Sequence, residues 1–187
     1  GEMRLIAITG PMGSGKSTVA AYIASRGFDV YDCDRIFNTG VINSPDYVAE
    51  IERLFGAVKG GKVDKKALSA HLAAHPEDVI KLNAAAHPRV VAKLLELTRG
   101  KDVAFAEVQV PDALDGVEHE LWLVTAPAAV RAKRVAARDG RGEEEIAAMF
   151  ALRKTEEPRA DEVIDTDCSL EELRRRVDDV LKRAKLI

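Results

Sequence analysis

The sequence predicts an α/β fold in three layers, a parallel sheet with helices on both faces, plus an inserted helical lobe and a lid. Three features predict it. Apolar strand-like runs alternate with helix-like runs along most of the 187 residues. The first run, "MRLIAIT", passes through a glycine-rich stretch into "STVAAYIASRG", where Val19, Ala20, Ile23 and Ala24 keep helical spacing and Gly27 supplies a stop. From about residue 40 to 100 the pattern is mostly helical, and roughly 60 residues are too many for a simple crossover between parallel strands.

The elements follow in order. "GFDVYD" reads as a short second strand ending in Asp32 and, just beyond, Asp34. "SPDYVAEIERLF" opens on Ser-Pro and repeats apolar residues at Val48, Ile51 and Leu54. "DKKALSAHLAAH" starts on Asp64, a residue type suited to an N-cap. "HPEDVIKLNAAAHPRVVAKLLELTRG" is helical, with a break expected at His87-Pro88. Strands resume with "DVAFAEV" and "ELWLVTA". The helix "PAAVRAKRVAARDG" carries Pro127 at its first turn, and the charged, glycine-led "DGRGEEEIAAMFALRKTEEPR" is the expected lid. A last short strand, "EVIDT", precedes "SLEELRRRVDDVLKRAKL", an amphipathic helix with Ser169 and Glu172 placed as a capping box.

The glycine-rich stretch "ITGPMGSGKST" fits G-x-x-x-x-G-K-[ST] at Gly10, Gly15, Lys16 and Ser17. Four fixed positions between a strand and a helix identify a phosphate-binding loop, and with it a fold of the P-loop NTPase type. Gly10, Gly13 and Gly15 let the chain turn tightly, so that the N–H groups of Met12, Ser14 and Thr18 and their neighbours converge on one anion. The helix start adds unpaired N–H groups and a positive dipole end. Lys16 reaches β- and γ-phosphates, and the Ser17 hydroxyl suits Mg²⁺. ATP and Mg²⁺ are the expected cofactors. The motif alone leaves a kinase, an ATPase and a switch all open.

Composition narrows the classes. Apolar residues make up 47% of the chain, enough for a sizeable core, and 28 basic against 31 acidic residues give a net charge of −3. No broad basic surface is implied, so no nucleic-acid partner is expected. No apolar run has the length of a membrane span and no secretory leader is recognisable, so a cytoplasmic monomer or small homo-oligomer is expected. Gly1 and Glu2 read as an addition ahead of a native start at Met3. Cys33 and Cys168 lack metal-ligand spacing and sit beside acids, which reads as two reduced thiols. His71, His75, His87 and His119 form no ligand pattern.

Further candidates gather at the carboxyl ends of the strands, where ligands bind in such sheets. Asp32 and Asp34, at i and i+2, are expected to share one face of a strand. One would take the proton of an attacking hydroxyl, and the other would hold Mg²⁺ through water. A turn with a helix N-cap is the alternative. Glu107 ends an apolar strand as a metal-serving acid does, or as an ordinary strand-end carboxylate. Arg131, Arg134 and Arg138 share a helix face and suit phosphate oxygens, with a solvated helix face as the alternative for at least one of them. Arg153 would close over the nucleotide from the lid, or is simple surface charge, and His87 would touch an acceptor, or is structural at a helix boundary.

Several stretches resemble the dephospho-CoA kinase family: "ITGPMGSGKSTVA", "VYDCDRI", "LNAAAHPRV", "WLVTAPAAVRAKRVAARDG", "RADEVIDT" and "SLEELRRRVDDVL", in that order across nearly the whole chain. The resemblance implies transfer of the ATP γ-phosphate to the 3′-hydroxyl of dephospho-CoA, with that acceptor as the small-molecule partner. It places Asp34 as general base and keeps Lys16 and Ser17 in their loop roles. Arg138, with Arg134, takes a phosphate- or adenine-side position. It implies one domain over 1–187, with a core at 3–34 and 101–187, a helical insert at about 40–100 that helps hold the CoA moiety, and a lid at about 139–157. Two stretches depart from the family pattern. "EVQVPDALDG" stands where a Pro-Leu-Leu-like segment is usual, and Phe150 stands where a Gln is common. A kinase of another small hydroxyl compound, such as a nucleoside or nucleotide, or an ATP-binding relative that has lost catalysis, is the alternative.

Overall fold

The computed structural model describes residues 2–152 and 157–187. Its centre is a five-stranded sheet in the order β2-β5-β1-β6-β7, with every neighbouring pair parallel. The strands are β1 (Arg4–Thr9), β2 (Val30–Asp32), β5 (Val103–Glu107), β6 (Glu120–Thr125) and β7 (Glu162–Asp165). A second, two-stranded hairpin joins β3 (Val58–Lys59) to β4 (Lys62–Val63).

The alternation of side chains along a strand sorts the core into two layers. Leu5 and Ala7 of β1 face α2 (Cys33–Ile36), α3 (Pro45–Phe55) and α5 (Val79–Leu97), packing with Ile36, Tyr47, Ile51, Val90 and Leu94. Ile6 and Ile8 face the other way, onto α1 (Lys16–Ser25) and α8 (Leu170–Arg183), with Val19, Ile23, Val177 and Leu181. On that face Phe28, Phe105 and Trp122 stack edge to face, with centroids 5.5 and 5.2 Å apart. The sheet is thus buried on both sides, which is why its strands read as unbroken apolar runs.

Helix ends follow local chemistry. Asp64 accepts from the Ala67 N–H at 3.1 Å and starts α4 (Lys65–Ala74), and Ser169 accepts from the Glu172 N–H at 3.1 Å and starts α8. α6 (Ala128–Asp139) ends at Gly140 in the left-handed conformation, and α7 (Glu143–Leu152) follows at once. α2 runs into a wider turn, Phe37–Val41, where the Ile42 N–H reaches back five residues to Phe37 O at 2.9 Å.

Three expectations are corrected. The helix read as broken at His87-Pro88 is continuous from Val79 to Leu97. Burial of Ala85, Val90 and Leu94 on both sides of Pro88 holds it together, and the Arg89 guanidinium donates to Ala85 O at 2.8 Å beside the carbonyl that proline leaves unpaired. The hairpin β3–β4 interrupts the stretch read as mostly helical. Asp34 is not on a strand with Asp32: β2 stops at Asp32, which caps α2 by accepting from the N–H groups of Asp34 and Arg35 at 3.0 and 3.4 Å. Among the described residues no helix is long and apolar enough to cross a membrane.

Candidate active site

The loop between β1 and α1 is packed too tightly for side chains at two glycines. A Cβ on Gly10 would fall 2.3 Å from Val124 O, and one on Gly13 would fall 2.6 Å from Arg131 O at a φ of 80°. The loop is therefore wedged between β6 and α6. α1 begins with no side-chain cap and no acid in its first turn, which leaves that turn's N–H groups for an outside anion. The Ser14 hydroxyl is buried without a hydrogen-bond partner among the described residues. These features fit a bound polyphosphate.

The carboxyl ends of β2 and β5 bring acids alongside. Asp32 and Glu107 are register partners on adjacent strands, and Glu107 is also paired in register with Ile8. The Ser17 hydroxyl donates to Glu107 Oε1 at 3.2 Å, and Lys16 Nζ donates to Val108 O at 3.4 Å. Asp34, on the first turn of α2, opens into the same cavity of about 630 Å³, whose wall includes Gly10 to Thr18, Asp32, Glu107, Gln109, Arg134 and Arg138. The acids leave a mark on Cys33 between the two aspartates: burial, then the charges of Asp32, Asp34 and Glu107, push its thiol up to about 12, with Lys16 opposing them. Among the described residues no three His, Cys, Asp or Glu side chains close on a common metal position. A hydroxyl and nearby carboxylates are nevertheless hard oxygen donors, and Mg²⁺ in phosphate sites takes one or two such ligands and completes its shell with phosphate and water.

The arginines of α6 divide. Arg134 is tied down: Nη1 donates to Gly13 O at 3.1 Å and to Thr166 Oγ1 at 2.8 Å, and Nη2 donates to Thr166 O at 2.9 Å. Arg138 is exposed and pairs with Asp139, Nε to Oδ1 at 2.9 Å, which raises its pKa. Arg131 turns away from both, toward a second cavity of about 790 Å³ that shares Gly10, Pro11, Met12 and Gln109 with the first. His87, on α5, lines neither cavity, and Arg153 lies outside the described residues. Two contributors went unread in the sequence. Thr166, buried after β7, donates to Ser14 O and accepts from Arg134. Gln109, in the "EVQVPDALDG" segment, lines both cavities.

Comparison with known proteins bears on this geometry. A family model described as dephospho-CoA kinase (CoaE) matches residues 4–172. The chain belongs to the dephospho-CoA kinase family. A dephospho-CoA kinase from Thermus thermophilus is 36% identical over 185 residues, covering 95% of this chain and 90% of its own. The crystal structure of TT1252 from Thermus thermophilus aligns with a TM-score of 0.76 at 35% identity, over 98% of each chain. Shikimate kinase from Bacteroides thetaiotaomicron, at 16% identity and a TM-score of 0.56 over 99% of this chain and 100% of its own, shares the fold. Membership in the dephospho-CoA kinase family accounts for the order of motifs from the phosphate loop to "RADEVIDT". The altered "EVQVPDALDG" segment lies within the matched range.

Proposed function

We propose that this protein is an ATP-dependent kinase that transfers the γ-phosphate to the 3′-hydroxyl of dephospho-CoA, giving CoA and ADP. The observation that carries the reading is the family match across residues 4–172, which includes a phosphate loop opening into the same cavity as Asp34. The acceptor oxygen attacks the γ-phosphorus, and the bond from that phosphorus to the bridging oxygen breaks with its electrons passing to ADP. Asp34 takes the hydroxyl proton. Lys16 and the first-turn N–H groups of α1 hold the β- and γ-phosphates, and Arg138 exchanges Asp139 for phosphate oxygens. Arg134 acts by holding the loop through Gly13 and Thr166.

Ser17, with Asp32 through water and Glu107, would hold Mg²⁺, which supplies neutralisation of phosphate charge when bound. The segment of about 139–157, of which 153–156 lie outside the described residues, acts as the lid, excluding water so that ATP is not simply hydrolysed. The helical stretch of about 40–100, with His87 on α5, belongs to the acceptor side of the domain.

An acceptor panel tests the proposal. ADP release is followed with ATP and Mg²⁺ plus dephospho-CoA, a nucleoside, a nucleotide or shikimate. Stimulation by dephospho-CoA well above the others is expected. Stimulation by another hydroxyl compound alone would assign a different acceptor, and no stimulation by any would leave an ATP-binding relative without catalysis.

A further inference from the structure

Arg131 sits where three parts of the molecule meet. Its backbone carbonyl lies against the phosphate loop, so close that Gly13 has no room for a Cβ. Its guanidinium donates from Nε to Ala126 O at 3.1 Å, at the end of β6, and from Nη1 to Met12 O at 3.4 Å, in the loop. The same guanidinium lies over the ring of Phe150 on α7, 4.8 Å from the centroid. Both side chains are half-buried, and burial lowers the Arg131 pKa. A cation over a ring gains most where water is partly excluded.

The attachment of α7 makes this contact consequential. Ala132, Val135, Ala136 and Ile146 form a small core between α6 and α7, with Met149 and Phe150 packed against it. This core is separate from the two clusters on the faces of the sheet. α7 is therefore fastened to α6, and through Arg131 to the loop.

We propose that Arg131 is a positioning residue: stacked on Phe150, it ties α7 to the phosphate loop, so that the seating of this helix and the loop's grip on the triphosphate are one event. The inference rests on reading the loop as the ATP site. Arg131 need not touch the nucleotide. When the ring is absent, α7 is released from the loop, the nucleotide leaves faster and water gains access to the bound phosphates.

The test uses Phe150→Leu, which keeps the apolar contact and removes the ring, Arg131→Lys, which keeps the charge but cannot span the three contacts, and the double variant. Three quantities are measured: the dissociation rate of a fluorescent ATP analogue, ADP release with Mg²⁺-ATP and no acceptor, and Tm. Each single variant is expected to speed dissociation roughly three- to tenfold, the range a partly desolvated cation–ring contact commands. ADP release without acceptor should rise above the wild-type rate. The double variant should match the larger single effect, since both changes break one contact. Unchanged dissociation rates, additive effects, or a loss confined to Tm would each overturn the proposal. Because two readouts need only ATP, a wild-type protein that binds ATP but ignores dephospho-CoA would sink the acceptor reading and leave this one standing or falling on its own data.

Discussion

Replacing Thr166 by valine removes one hydroxyl and keeps the shape of the side chain. Thr166 is 3% exposed, and its hydroxyl accepts from Arg134 Nη1 at 2.8 Å. It has a single proton to give. Ser14 O is the nearer acceptor and Thr125 O, at 3.3 Å, the farther. Valine leaves Ser14 O and one Arg134 N–H without partners at a buried seam. Each orphaned group costs about 1–3 kcal/mol. Arg134 keeps its bonds to Gly13 O and Thr166 O, so its share lies at the low end. The sum is about 2–3 kcal/mol, which in a chain of this size lowers Tm by about 5–10 °C. Thermal unfolding and ATP titration should show that drop with weakened ATP binding, and Thr166→Ser should recover most of both. A Thr166→Val protein with wild-type Tm and wild-type ATP affinity would refute the reasoning.

Other outcomes follow from the same geometry. Gly13→Ala forces a Cβ to 2.6 Å from Arg131 O at a φ of 80°, so ATP binding measured by calorimetry should be lost and Tm should fall. Asp34→Asn should cut phosphoryl transfer by about 10²-fold or more while ATP affinity holds. A raised thiol pKa contributes stability that is full below the unfolded value and lost as pH rises toward the folded one. Denaturant unfolding of Cys33→Ala should therefore lose less stability than wild type between about pH 9 and 12. A thiol reagent at pH 8 should label half-exposed Cys168 at once and buried Cys33 only on unfolding.

Much of the fold was legible in the sequence, because β1, β5 and β6 are buried on both faces and announce themselves as apolar runs. The loop was legible because its chemistry depends on residues close in sequence. The misreadings came where distant contacts overrule local signals. Pro88 stays in a helix because Ala85, Val90 and Leu94 are buried around it. The β3–β4 hairpin has only two residues in each strand, so its one cue was the Gly60-Gly61 pair. The exception is Asp34, assigned to a strand although a turn with an N-cap was the stated alternative: Asp32 caps α2 through the nearby N–H groups of Asp34 and Arg35. Thr166 was invisible because its partners, Ser14 and Arg134, lie 152 and 32 residues away. Arg131, Arg134 and Arg138 share a face by spacing, yet Phe150 and Thr166 draw the first two to different cavities.

The most direct measurement follows the products of wild type and Asp34→Asn by mass spectrometry, with ATP, Mg²⁺ and dephospho-CoA. The account predicts CoA and ADP in equal amounts from the wild type, with phosphate on the 3′-oxygen, and almost none from the variant despite bound ATP. ADP without CoA from the wild type, or undiminished CoA from the variant, would contradict it.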